Sequence, residues 1–325
     1  MPLMSVDRRT FLAAGTALSL LGSASRASAQ AFTIPGDFTR FPIWPGVAPG
    51  SVGVSVTEKE GLRRPDSPPD DTYFEHVVTP TLTMLRPKKP NGAAMLLIPG
   101  GGYIRVAIGL EGYEIARRLA SAGYTCFILL YRLPGDGWGA GPEAPLQDAQ
   151  RALRMVRSMA AKETFDPARI GVMGFSAGGH LAGWLATQGA PAAYAPIDAT
   201  DSQPLGVQVA ALMYPVIMMD GPSAHAGSRR QLLGADPTPD RARAYSLDQH
   251  VAAGAPATFI AHAIDDKTVP VENSTAMMMA LKQQNVPVEA HIFESGGHGF
   301  GVGAKAAAAA GWPELFLAFA RRHGV

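Results

Sequence analysis

What the chain lacks narrows it first. Cys126 is the only cysteine in 325 residues, so no intramolecular disulfide framework can hold the fold. It stands in Tyr124-Thr125-Cys126-Phe127-Ile128-Leu129-Leu130, an apolar run in which a thiol acts as a small core hydrophobe. A dominant charge is missing as well: 28 Lys+Arg against 27 Asp+Glu leave a formal +1. A near-neutral chain has no electrostatic footprint for nucleic acid or an anionic membrane surface. No apolar run approaches the ~20 residues that a spanning helix needs. No His-x-x-x-His pair lies on a helical pattern, and one cysteine cannot build a thiolate site, so neither metal nor other cofactor is expected. Internal repeats and low-complexity tracts are absent too.

What is present describes an ordinary globular protein, 47% hydrophobic and 17% charged. Its 36 glycines and 27 prolines suit many turns and long loops. Residues 1–29 stand apart. Asp7-Arg8-Arg9-Thr10-Phe11-Leu12 precedes a short apolar run, and Ala27-Ser28-Ala29 has the small-x-small form of a cleavage site. Paired arginines followed by Phe-Leu resemble a bacterial twin-arginine export signal, so the expected address is periplasmic or secreted. Without those residues Lys+Arg falls to 25 and Asp+Glu to 26, and the formal charge becomes −1.

The remainder reads as one α/β domain. Residues 30–72, rich in Pro, Gly and Asp, are expected to form an irregular N-terminal arm. Short apolar runs at 76–78, 82–85, 93–98, 124–131, 207–214, 257–264 and 288–293 read as strands. Helical spacing appears at 111–122, 146–161, 272–284 and 304–322, the last interrupted near Gly311 and Pro313. Alternation of this kind predicts a mostly parallel sheet with helices on both faces. Residues 216–255 form an irregular excursion, expected to be a partial cap.

The chemistry centres on Gly174-Phe175-Ser176-Ala177-Gly178-Gly179-His180. Abundant glycine makes a G-x-S-x-G match weak on its own, and a plain turn with a surface serine is the alternative. Here a strand pattern precedes it and a helix pattern follows, the setting of a nucleophile elbow. A serine hydroxyl needs a base, and the base needs an orienting carboxylate, in the chain order Ser, acid, His. Asp265 and Asp266 follow the 257–264 strand. His298 lies on the glycine-rich stretch Gly296-Gly297-His298-Gly299. Of the two adjacent aspartates only one can face His298, and the spacing from His262 points to Asp266. Asp265 would then bond backbone N–H groups of the turn. His225 and His250, within the excursion, are weaker candidates for the pocket wall.

An oxyanion site is the fourth requirement. Pro99-Gly100-Gly101-Gly102-Tyr103 follows the 93–98 strand, and its glycines free backbone N–H groups to face a substrate oxygen. The expected donors are Gly101 and Gly102, joined by Ala177. The loop matches the His-Gly-Gly-Gly loop of lipases, with Pro99 in place of histidine.

These stretches, with Trp44-Pro45-Gly46, Glu111-Gly112, Tyr131-Arg132-Leu133, Asp148-Ala149-Gln150-Arg151-Ala152 and Tyr214-Pro215-Val216-Ile217, resemble α/β-hydrolase esterases of the acetylxylan and feruloyl esterase kind. The resemblance implies the α/β-hydrolase fold and a Ser176–Asp266–His298 esterase that uses no cofactor. Its substrate would be a small-molecule or oligosaccharide ester such as acetylated xylan. Tyr103, Trp138 and Tyr214 are the aromatic candidates for lining a sugar site, with ordinary packing as the alternative. Tyr103 would also limit the acyl pocket. A serine peptidase is a second reading, although only about 40 residues precede the first strands, too few for a gating propeller. A non-catalytic hydrolase-like binding protein is the third.

Overall fold

Strands buried on both faces need continuous apolar sequence, and four such segments make the centre of this protein. The computed structural model describes residues 34–189, 191–302 and 308–325. The segment read as an export signal lies outside them, as does part of the helix expected over 304–322. Ten strands appear in the described chain: β1 (Phe38–Pro42), β2 (Lys59–Leu62), β3 (Thr72–Glu75), β4 (Thr81–Leu85), β5 (Ala94–Ile98), β6 (Thr125–Leu130), β7 (Ile170–Phe175), β8 (Val209–Met213), β9 (Ala257–Ala263) and β10 (Val288–Phe293). Eight form one sheet in the order β1-β4-β6-β5-β7-β8-β9-β10. From β6 to β10 every neighbouring pair is parallel, whereas β4 runs antiparallel to both β6 and β1. All residues of β5, β6, β7 and β8 are buried.

The helices are α1 (Ile115–Ser121), α2 (Ala144–Ser158), α3 (Ala160–Glu163), α4 (Ser176–Thr187), α5 (Ala226–Leu233), α6 (Pro239–Ala244), α7 (Glu272–Gln283) and α8 (Trp312–Arg322). α4 packs on β7 and β8, α1 on β6, α7 on β9 and β10, and α8 on β9. The described residues fall in one compact unit.

Two expectations need correction. The arm is not wholly irregular: Phe38–Pro42 joins the sheet as its outermost strand, and Lys59–Leu62 pairs with Thr72–Glu75 in a separate two-stranded sheet. The early strand lies at Thr72–Glu75 rather than 76–78, since His76 has φ 53° and ends the extended run. The 216–255 excursion carries α5, α6 and a 3-10 turn over Leu247–Gln249. Asn273 of α7 anchors it: its Oδ1 accepts the N–H of both Ile217 and Met218 at 2.9 Å, and its Nδ2 donates to the Ser223 carbonyl.

Candidate active site

β7 ends at Phe175, and Ser176 opens α4 with φ 52°. A non-glycine residue in the left-handed region costs about 1–3 kcal/mol and persists only where its surroundings enforce it. Here the glycines two positions away allow the turn. A Cβ on Gly174 would meet the Gly178 carbonyl oxygen at 2.2 Å, and one on Gly178 would meet the Ile98 oxygen at 2.2 Å. β7, α4 and β5 therefore approach as only glycine permits. The Ser176 carbonyl accepts the Val216 N–H at 3.0 Å, which fixes the turn from the β8 side.

Ser176 Oγ lies 2.8 Å from His298 Nε2, and His298 Nδ1 lies 2.6 Å from Asp266 Oδ2. A carboxylate only accepts, so Nδ1 carries the imidazole proton and Nε2 is left to accept from the serine hydroxyl. Asp266 is bonded on every side. Its Oδ2 also accepts from His262 Nε2 at 3.1 Å, and its Oδ1 accepts the N–H of Thr268 at 2.8 Å and of Val269 at 3.0 Å. Burial pushes the Asp266 carboxyl up. The bonds from His262 and His298, the charge of His298 and the Val269 N–H outweigh it, holding the group well below the usual carboxylate range. His262 is itself fixed. Its Nε2–H faces Asp266 and the Val269 carbonyl, and its Nδ1 accepts the Ser274 hydroxyl at 2.7 Å. Asp265 points elsewhere: its Oδ1 accepts the N–H of Gly296 at 2.9 Å and of Gly297 at 2.8 Å, so it ties down the loop that carries His298.

The glycine loop lies against the elbow. A Cβ on Gly100 would fall 2.9 Å from Ser176 Cβ. Gly101 has φ 128° and Gly102 φ 67°, and a Cβ on Gly101 would collide with the Arg105 carbonyl at 2.3 Å. The Gly101 carbonyl accepts from Ile104 and Arg105, and the Gly100 carbonyl accepts from Ala107. The Gly100 N–H is engaged by Glu111 Oε2 at 2.7 Å. The Gly101 and Gly102 amides donate to no acceptor among the described residues. Pro99, where lipases carry histidine, is held by its carbonyl, which accepts the Tyr131 hydroxyl at 2.8 Å.

The BD-FAE family model matches residues 83–281, more than half of the chain, including β5, the glycine loop, the elbow and the acid turn. The chain belongs to the BD-FAE family. It is 33% identical over 222 residues to an acetylxylan esterase of Xylanibacter ruminicola, covering 67% of this chain and 43% of that one. It is 35% identical over 214 residues to an endo-1,4-beta-xylanase B of Butyrivibrio fibrisolvens, covering 64% and 32%. The chain thus spans less than half the length of either relative. A solved acetyl ester-xyloside bifunctional hydrolase from Caldicellulosiruptor lactoaceticus superposes with a TM-score of 0.70 at 33% identity, covering 88% of this chain and 96% of that one. The architecture is the α/β-hydrolase fold that the sequence resemblance implied.

Within this BD-FAE chain the three aromatic candidates do not line a site. Tyr103 and Tyr214 are 0% exposed and Trp138 is 4% exposed. Tyr103 has φ 60°, which turns its side chain inward, and its hydroxyl bonds His180 Nδ1 at 2.9 Å. It therefore cannot limit an acyl pocket. His180 bonds the Tyr245 carbonyl through Nε2 at 2.8 Å, and burial pushes its pKa down to about 4, so it stays neutral. Trp138 donates to the Leu133 carbonyl and faces a cleft of the N-terminal arm beside Trp44, Pro42 and Val54. Tyr214 packs its ring edge on His298, centroids 5.0 Å apart, and bonds Glu111 Oε1 at 3.0 Å. All three rings are buried, and sequence composition gave no sign of which way they turn.

His225 caps the N-terminus of α5, with Nδ1 accepting the Ser228 N–H. Burial and the nearby charge of His298 lower its pKa. His250 bonds the Arg243 carbonyl and is exposed. Sequence reasoning assigned no role to Glu111 or His262. His262 had a signal in its spacing from Asp266. Glu111 stood only within the Glu111-Gly112 stretch of the family resemblance, which gave it no role, and its partner Tyr214 is 103 residues away. Among the described residues no three His, Cys, Asp or Glu side chains are grouped to hold a metal ion.

Proposed function

We propose that the protein is a serine carboxylic-ester hydrolase that removes acetyl groups from acetylated sugars such as xylan. The observation that carries this reading is the unbroken relay from Ser176 Oγ through His298 to Asp266, at 2.8 and 2.6 Å. In the forward half-reaction Ser176 Oγ bonds to the acyl carbon while His298 Nε2 takes its proton. The carbonyl electron pair moves onto oxygen, where the amides of Gly101, Gly102 and Ala177 receive it. Collapse expels the alcohol, which takes the proton from His298, and leaves an acyl-enzyme on Ser176. Water, deprotonated by His298, then releases the acid and restores the serine. Asp266 stays ionised and holds the imidazole in the required tautomer.

The acetyl preference and the sugar alcohol rest on the relatives' names, acetylxylan esterase and acetyl ester-xyloside hydrolase. The experiment compares kcat/KM for nitrophenyl esters of rising acyl length with release of acetate from acetylated xylan and of ferulate from methyl ferulate. Acetyl esters and acetylated xylan should lead. Faster octanoyl or feruloyl hydrolysis would move the assignment to another carboxylesterase, and cleavage of peptides alone would make it a peptidase. We also propose that Arg8 and Arg9 direct export. Changing both to Lys should leave precursor in the cytoplasm, and undiminished export would remove the proposal.

A further inference from the structure

Glu111 has no part in the chemistry above, yet it is 5% exposed and brings a carboxyl group into the core beside the reacting residues. It lies in a π-helical turn over Gly109–Glu114, a feature frequent at functional sites. A buried carboxylate with few partners is unfavourable, so its presence needs a reason. Oε2 accepts the Gly100 N–H at 2.7 Å, and Oε1 accepts the Tyr214 hydroxyl at 3.0 Å. The two partners belong to different halves of the machinery. Gly100 opens the oxyanion loop, and its α-carbon is wedged between Ser176 and Glu111: a Cβ there would lie 2.9 Å from Ser176 Cβ and 3.0 Å from Glu111 Oε2. Tyr214 meets the His298 ring edge-on at 65°. Its φ of 37° is one a tyrosine rarely adopts, and Phe175 and Phe300 pack on the same ring.

We propose that Glu111 is a positioning residue that holds the oxyanion loop and the general base in register with Ser176, through the Gly100 N–H on one side and the Tyr214 hydroxyl on the other. The proposal rests on the serine esterase reading and adds to it a side chain that touches no substrate. His298 faces Asp266, Ser176 and Tyr214, with His225 and Glu111 farther out. Glu111 bonds Tyr214, the charges of His298 and Arg63 act on it, and Glu114 acts on Tyr214 and Arg63. Burial pushes the Glu111 carboxyl up, and the Gly100 N–H, His298, Tyr214 and Arg63 pull it back.

The test measures Glu111→Gln and Tyr214→Phe in the full chain on nitrophenyl acetate, beside wild type and Ser176→Ala. Gln keeps the volume and an acceptor for Gly100 without the charge, and Phe keeps the ring without the hydroxyl. Each should lower kcat about tenfold with KM nearly unchanged. The double variant should lose less than the product of the two single losses, since both cut one connection. Wild-type kcat in Glu111→Gln would overturn the proposal. So would a kcat loss matched by lost folded protein. If Glu111→Gln fails to fold, Tyr214→Phe decides: wild-type kcat there overturns the proposal. Turnover persisting in Ser176→Ala would instead remove the esterase reading itself.

Discussion

Two buried carboxylates bear on His298, Asp266 directly and Glu111 through the ring of Tyr214, and they are solvated by the protein in different ways. Asp266 receives four N–H donors, two from histidines and two from the backbone of its own turn. Glu111 receives one N–H and one O–H. Both are removed from water, which disfavours the charge in each case. At Asp266 the donors win and the carboxyl is held low, whereas at Glu111 burial wins and it is raised. Donor number therefore decides the direction in which each carboxyl is shifted.

The comparison breaks most visibly at Asp266. Asp266→Asn removes the acceptor that fixes the His298 tautomer, and kcat should fall by up to ~10⁴, the loss known for the best-studied Ser-His-Asp triad. Asp265→Asn loosens only the Gly296–Gly297 loop and should cost about tenfold in kcat, with a lower Tm. If Asp265→Asn abolished turnover in a well-folded protein while Asp266→Asn stayed active, the two roles would be exchanged.

The smallest effect is on stability against pH, with opposite signs at the two sites. A depressed carboxyl contributes stability that is full above its unfolded pKa, about 3.9, and is lost as pH falls toward the folded value. The Tm deficit of Asp266→Asn should accordingly be greatest near neutrality and shrink below about pH 4. A raised carboxyl penalises the fold above its folded pKa, and acidification toward about 4.3 relieves the penalty. Glu111→Gln should thus gain Tm relative to wild type near neutrality and lose that gain in acid. Parallel pH curves for the two variants would contradict the comparison.

The same contrast explains what could be read in the chain before its fold was known. The Ser176 turn, the glycine loop and the acid turn each satisfy their constraint within a few residues, so spacing and glycine placement disclosed them. Asp265 and Asp266 were separable because adjacent residues leaving a strand project differently. The support behind them was hidden, since Glu111 meets Tyr214 only once β8 is placed, and a positive φ at Tyr103 or Tyr214 leaves no mark in composition. β1 was missed for another reason. It is an edge strand with one ladder partner, so Phe38-Thr39-Arg40-Phe41-Pro42 needs little apolar continuity and tolerates its proline.

The proposed chemistry turns on Ser176 carrying the acyl group. The direct measurement is to mix the protein with nitrophenyl acetate, quench in acid within the first turnover, and locate acetyl by mass spectrometry of peptides. One acetyl group per chain on the peptide containing Ser176, accumulating with the nitrophenol burst and absent from Ser176→Ala, is the predicted result. Nitrophenol release with no acetyl on Ser176, or with the label on another residue, would contradict it.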